Sequence, residues 1–474
     1  MRFELSPPEA VERFREAARE ALETEGELSP ALRAALGVRA RALGVHPYDE
    51  AVALRAVRAL PSVRAAFEAA RERRFEGARL EAALHAAPAG SEVVLERGTY
   101  RLDAPLVLRR PLTLTGEGPD RTRVVCASPE CVLRLDAPGP VVVRGISFEH
   151  EGERAADVVV VAAGAVRLEG CRFSGGAADP LGTRGHGLAV SSPGPVEVVS
   201  CSAVGNRRTG IQVQEEARTY VRGCQASGNG GSGIGFHAGA RGSAEGNTCE
   251  RNALHGIACA GSAEVVLERN DCIRNERAGI DISSPAAVTA RANTCIHNER
   301  DGIRVSGDAR PVLVDNRCAS NGGSGVAFGE TAGGEARGNR CLGNQRHGMS
   351  VERRASPLLE GNPCEKNTGA GIGFQGSARG TARGNTCRGN QGDGILVDGH
   401  ARPLLEENEC LGNRDSGIRW TGSSGGRARA NRCDGNLRYG IAIGKRTHPD
   451  QGTDNQCRDN RFADVFDARG ASGP

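Results

Sequence analysis

The stretch NTCIHNERDGIRV, residues 293–305, returns 23 residues later as NRCASNGGSGVAF (316–328) and 23 after that as NRCLGNQRHGMSV (339–351). Alignment on the glycine before the aliphatic residue gives an unbroken series from Gly210 to Gly440 in steps of 23. An asparagine stands four residues before every one of these glycines, from Asn206 to Asn436. Seven before is a cysteine from Cys249 to Cys433, with Ala203 and Ala226 in the first two repeats. Nine before is asparagine from Asn247 to Asn431, with Cys201 and Cys224 in the first two.

A unit of 23 residues built from short alternating runs is too short for a pair of helices. It fits one turn of a parallel β-solenoid of about three strands, stacked at the strand spacing of about 4.8 Å. Like positions then lie above one another. An inward asparagine passes amide hydrogen bonds from coil to coil, as in stacked fibril ladders. An inward cysteine is a small apolar filler, a reading supported by alanine at two of the same positions. Glycine supplies the turn before the strand. A second period of 46 overlies the first. Phe236, Ile282, Phe328, Phe374 and Trp420 alternate with Cys259, Val305, Val351, Val397 and Ile443, which predicts bulky coils alternating with lean ones.

Composition agrees with such a fold. Of 474 residues, 66 are glycine and only 3% are aromatic, so a large aromatic core is unavailable while tight turns are plentiful. Net charge is +3, too little to draw the chain to nucleic acid. No run approaches the roughly 20 apolar residues that span a bilayer. The start, MRFELSPPEAVERFREAARE, is charged throughout and lacks an apolar signal core, which predicts a cytoplasmic chain with reduced thiols.

The ends differ from the middle. Residues 1–75 show helical apolar spacing with Ser/Pro starts and glycine stops, which predicts a small α-helical bundle of about four helices offering a docking surface for a protein. Residues 76–90 read as a capping helix and linker, covering an edge that would otherwise be unpaired. Residues 91–466 form the solenoid, less regular before Ser200, and 467–474 a disordered tail.

With NRCLGNQRHGMSV, the 23-residue step and the opening GSEVVLERGTYRL, residues 78–466 resemble right-handed parallel β-helix repeat proteins of the pectin-lyase-like superfold. That class includes carbohydrate-binding and sugar-hydrolase repeats and F-box-associated β-helices. The resemblance implies a mainly β, single-stranded, right-handed parallel β-helix. It also implies a choice among polysaccharide lyases, hydrolases, esterases, epimerases and non-catalytic binding arms, because a fold does not fix a function.

Glycan hydrolysis needs two carboxyls roughly 5–10 Å apart. In the strand after each glycine, the first outward column contains one acid, Asp281, beside Arg304. The second contains Glu352 and Asp398, two coils apart, with Gln375 between. His186, near Asp179, lies in the longer stretch between Cys171 and Cys201, where a loop-borne site has room. His255 and His347 fall in turns four coils apart and cannot form a site together. No phosphate loop, nucleophile elbow or metal motif occurs, so neither cofactor nor metal is expected. The expectation is a non-catalytic binding or scaffold protein presenting a polar face to a protein or polysaccharide, without nucleic-acid or membrane partners. The alternative is a carbohydrate-active enzyme using Asp281, Arg304, Glu352, Asp398 and His186. A third reading is a self-assembling rod limited by its caps.

Overall fold

In the computed structural model, residues 7–25, 28–45, 47–58, 60, 80–179 and 182–469 are described. Three helices, α1 (Pro8–Glu25), α2 (Pro30–Ala42) and α3 (Pro47–Arg58), enclose a small core of Phe14, Leu22, Leu36, Leu54 and Val57. Ser29 caps α2 by accepting the Leu32 N–H at 3.1 Å, satisfying one of the donors that a helix start leaves open. The further helix expected before residue 75 lies outside the described residues. No described helix is long and apolar enough to cross a membrane.

From Glu92 the chain winds as a right-handed parallel β-solenoid of three sixteen-stranded sheets. Sheet A runs from Glu92–Leu95 to His448–Gln451, sheet B from Gly98–Leu102 to Gln456–Arg458, and sheet C from Leu106–Leu108 to Ala463–Asp467. At about 4.8 Å per coil the rod is roughly 75 Å long. Residues 80–86 are helical, and their Leu80 and Leu84 are buried in the solenoid core against the first coil.

The repeat residues do what their spacing predicts. Asn298 donates through its backbone N–H and its Nδ2 to Asn321 Oδ1, at 3.1 and 3.0 Å, and through Nδ2 to the Cys272 carbonyl at 3.0 Å. The same pattern runs from Asn206 to Asn460, and a second ladder runs from Asn247 to Asn455. Above that second ladder cysteines play the acceptor. Cys201 Sγ takes the Cys171 N–H and Cys224 Sγ takes the Cys201 N–H, both at 3.4 Å. The repeat glycine is required by close contact and not by a turn conformation, since none of the series from Gly210 to Gly440 has a positive φ. A Cβ on Gly325 would lie 2.6 Å from the Gly348 carbonyl oxygen and 2.8 Å from the Cys341 side chain.

The bulky-and-lean expectation needs correction. Eight residues after each large sheet C residue, the inward position of sheet A is alanine: Ala244 after Phe236, Ala336 after Phe328, Ala428 after Trp420. After Val305 and Val397 it is Leu313 and Leu405. Each coil therefore holds one large and one small residue, and the two sheets alternate in opposite phase. Close packing at constant cross-section demands this, because neither voids nor overfilling are cheap. Phe328→Val is expected to cost about 2 kcal/mol in urea unfolding. Adding Ala336→Leu, destabilising alone, should recover at least half of that loss; simple additivity of the two penalties would refute the counter-phase packing.

Candidate groove on sheet C

The outward positions of sheet C are not ordinary surface. Ala189, Gln212, Gly235, Ala258, Ser350, Gly373 and Ala442 all alternate with core residues and point away from the core, yet all are buried. They form a buried strip, the floor of the candidate groove, and beside it runs the column of residues before the glycines: His186, Thr209, Ser232, His255, then Asp301, Ser324, His347, Asp393 and Ser416, with Asp157, before Val158, in the same place one coil earlier. That column is itself a ladder. Asp157 Oδ1 accepts the Gly185 and His186 N–H groups at 2.9 and 2.8 Å. Asp301 Oδ1 takes the Ser324 N–H at 2.7 Å, His347 Nδ1 the Ala370 N–H at 3.0 Å, and Asp393 Oδ1 the Ser416 N–H at 3.0 Å.

The structure sets two of the sequence candidates side by side on this face, with His186 four coils away. Asp281 Oδ1 lies 3.7 Å from Arg304 Nη1, an ion pair too long for a hydrogen bond, with the Asp281 side chain 14% exposed and that of Arg304 47%. His255, two residues before Ile257 in the preceding coil, senses Asp281. Burial lowers its pKa; Asp281 opposes this, and Arg277 and Arg304 reinforce it. His237, past the floor residue Gly235, is depressed by burial and then by the charge of His186, with Asp281 again opposing. His186 is driven down to about 4, first by burial and second by Arg208. A Cβ on Gly235 would come within 2.7 Å of Gln212 Oε1 and 2.9 Å of His237 Nε2, so those two side-chain ends would have to turn aside. Among the described residues, His186 Nδ1, His255 Nδ1 and Asp281 Oδ1 are buried without a hydrogen-bond partner. Ser324 Oγ and Ser416 Oγ, farther along the same column, are likewise buried without a partner.

The remaining candidates lie farther along and are occupied. Glu352 accepts Ser350 Oγ at 2.8 Å and faces Arg346 Nη2 at 3.5 Å. Asp398 accepts Thr421 Oγ1 at 2.6 Å. No hydrogen bond or ion pair joins the two. Asp179 does not serve His186; it closes its own loop by accepting the Thr183 hydroxyl and the Thr183 and Arg184 N–H groups, which hold its carboxyl down at about 2. The carboxylate that fixes the His186 backbone is Asp157, two coil positions above Thr209. Sequence reasoning passed over His255 as a turn residue and missed Asp301, Asp393 and Gln212 as groove residues. The signal was present: His-Gly, Ala-Gly, Asp-Gly and Ser-Gly at 255, 278, 301 and 324 recur in the same order at 347, 370, 393 and 416. Among the described residues no cluster of three or more His, Cys, Asp or Glu side chains could hold a metal ion.

Residues 156–299, 286–402 and 375–471 match the sequence profile of the family described as right handed beta helix region, about two thirds of the chain in all. The chain belongs to that family. Solved β-helix structures share its fold at low identity. The pre-mature bacteriophage phi29 gene product 12 aligns over 76% of this chain and 62% of its own, at 10% identity and a TM-score of 0.51. The periplasmic alginate epimerase AlgG aligns over 77% and 84%, at 12% identity and 0.44. The A-module of the Azotobacter vinelandii mannuronan C-5 epimerase AlgE6 aligns over 81% and 94%, at 15% identity and 0.40. At these identities the likeness of this β-helix to them is one of fold. No curated protein matches the chain in sequence.

Proposed function

We propose that this β-helix binds an extended glycan chain along the sheet C groove without transforming it, anchored at the notch formed by His255, Asp281 and Arg304 on three successive coils. The observation that carries the reading is the groove's floor. Small outward residues keep this face flat enough for a sugar ring, and beside them the half-exposed Arg304 and the part-exposed Asp281 are the polar groups that hydroxyls would reach. Neutral histidines suit this role, since each offers one donor and one acceptor. The non-catalytic reading rests on the acids. Asp281 is the one carboxylate on the notch floor, while Glu352 and Asp398 are engaged by other side chains, so no free pair at hydrolytic spacing is at hand. A second reading, a carbohydrate-active enzyme, draws support from the His255–Asp281–Arg304 neighbourhood alone. In this proposal α1–α3 serve to dock a protein partner. Sixteen cysteines without a disulfide, fifteen of them buried, fit a reducing, cytoplasmic setting.

Calorimetry against a panel of neutral and uronate oligosaccharides tests the reading. At least one linear glycan is expected to bind, and Asp281→Ala to weaken it ten-fold or more, about 1.4 kcal/mol. Arg383→Ala, on the far face in an exposed pair with Glu406, should leave affinity unchanged. Absence of any glycan binding would refute the proposal, and release of new reducing ends from a bound glycan would favour the enzyme.

A further inference from the structure

From Cys249 to Cys457, ten consecutive coils carry a cysteine at the same inward position of sheet B, each the register partner of the next. All sixteen cysteines of the chain are free, and Cys457 is the one that is not buried. It sits in the last coil, which departs from the repeat: Cys433 and Cys457 are 24 residues apart, not 23. That coil pairs in all three sheets with the coil before it and with none after it. Its final strand, Ala463–Asp467, is exposed over most of its length. The coil is fastened by the last bonds of the two asparagine ladders and by Tyr439, which stacks on Phe466 at 4.7 Å and meets Phe462 edge-on at 5.9 Å. Cys433 and Cys457 are register partners on adjacent coils.

We propose that Cys433 and Cys457 are a redox latch, a disulfide made by a hydroperoxide that reversibly staples the last coil to the one beneath it. Neighbouring coils at about 4.8 Å fall within the Cα separation of about 4.4–6.8 Å that a disulfide bridges. Both side chains lie on the same inward column, so closing the bond asks for a small shift of the last strand of sheet B, which has a neighbour on one side only. The deeper thiols share the spacing but are sealed in the core, so an oxidant meets Cys457 first. The chemistry balances. The Cys433 side chain, burial and the charge of Asp464 hold the Cys457 thiol protonated. Its sulfur attacks the peroxide oxygen, the thiol proton passes to the leaving oxygen, the O–O bond breaks, and a sulfenic acid forms while the other oxygen departs as alcohol or water. Cys433 then attacks the sulfenic sulfur, the S–S bond forms and water departs. Two thiols lose two hydrogens, and the hydroperoxide takes up the two electrons. A small dithiol returns both thiols by exchange. The consequence is local. A solenoid opens from its ends, because each coil contacts only its neighbours. The latch holds the terminal coil and the exposed Leu437, Phe462, Val465 and Phe466 in one arrangement.

The full chain treated with one equivalent of hydrogen peroxide, then alkylated, tests the latch. The expected result is loss of two thiols per chain, a cross-linked peptide joining Cys433 and Cys457, and recovery of both thiols with dithiothreitol. Amide exchange across 456–467 should slow about ten-fold in the oxidised chain. Cys457→Ser should keep all its remaining thiols under the same treatment, while Cys249→Ser should still lose two. No thiol loss in the native chain, sulfinic acid at Cys457, or a link between two chains would each overturn the proposal.

Discussion

Asn321→Leu should destabilise the β-helix by about 4 kcal/mol, although it exchanges one buried side chain for another of similar bulk. Asn321 Oδ1 accepts the Asn298 N–H and Nδ2 at 3.1 and 3.0 Å. Its Nδ2 donates to the Cys295 carbonyl and to Asn344 Oδ1, both at 3.0 Å. Leucine strands two donors above it and the Cys295 carbonyl beside it, in a layer that water does not reach. Each abandoned buried group costs about 1–3 kcal/mol, while leucine regains only part of that through its apolar surface. Urea unfolding supplies the total. Amide exchange supplies the location, because the Asn298 N–H should lose protection before more distant coils do. A loss under about 1 kcal/mol would mean that the ladder is decoration on a fold held by its apolar interior alone.

The second large effect is on the acid limb of stability, and its sign follows from which state takes up the proton. His186 has a folded pKa of about 4 against an ordinary 6.5, so between those values the unfolded chain is protonated and the folded chain is not. Stability therefore falls as pH drops from 6.5 to 4. At pH 4.5 this single group costs about 2.5 kcal/mol relative to pH 7. Asp393 acts oppositely. Burial lifts its carboxyl to about 6 despite Arg419 Nε at 3.3 Å, so the folded chain binds that proton first and gains stability as pH falls from 6 toward 4. His237, His255 and His347 reinforce the loss, and Asp157 and Asp301 reinforce the gain. His186→Gln should therefore lose about 2.5 kcal/mol less than the parent between pH 7 and pH 4.5 by chemical denaturation. Parallel stability curves for the two proteins would show that His186 is protonated in the folded chain after all.

The fold was legible because its determinants repeat. Asparagine, cysteine and glycine each occupy a fixed phase of 23, and a parallel stack converts phase directly into a column of contacts. The alternating volumes were half legible. Reading the sheet C column alone suggested coils of unequal bulk, whereas Ala336 after Phe328 and Leu313 after Val305 show the compensation eight residues downstream in the same text. The groove was least legible. Depth is not periodic in sequence, and His255 looks like any polar turn residue until the backbone brings it beside the floor of the next coil. Asp281 and Arg304 were visible as neighbours because strand register is simple arithmetic, but their separation of 3.7 Å and the unpartnered Oδ1 depend on side-chain geometry that no spacing encodes.

The opposed rhythm of large and small residues in sheets A and C also sets a rule for how such a rod changes length. Removing one turn would bring Phe328 level with another aromatic layer and Ala336 level with another alanine, crowding one side and hollowing the other. Removing two turns would restore the original neighbours. The molecule can grow or shrink cheaply only by even numbers of turns, so parity, and not residue count, is what the interior preserves.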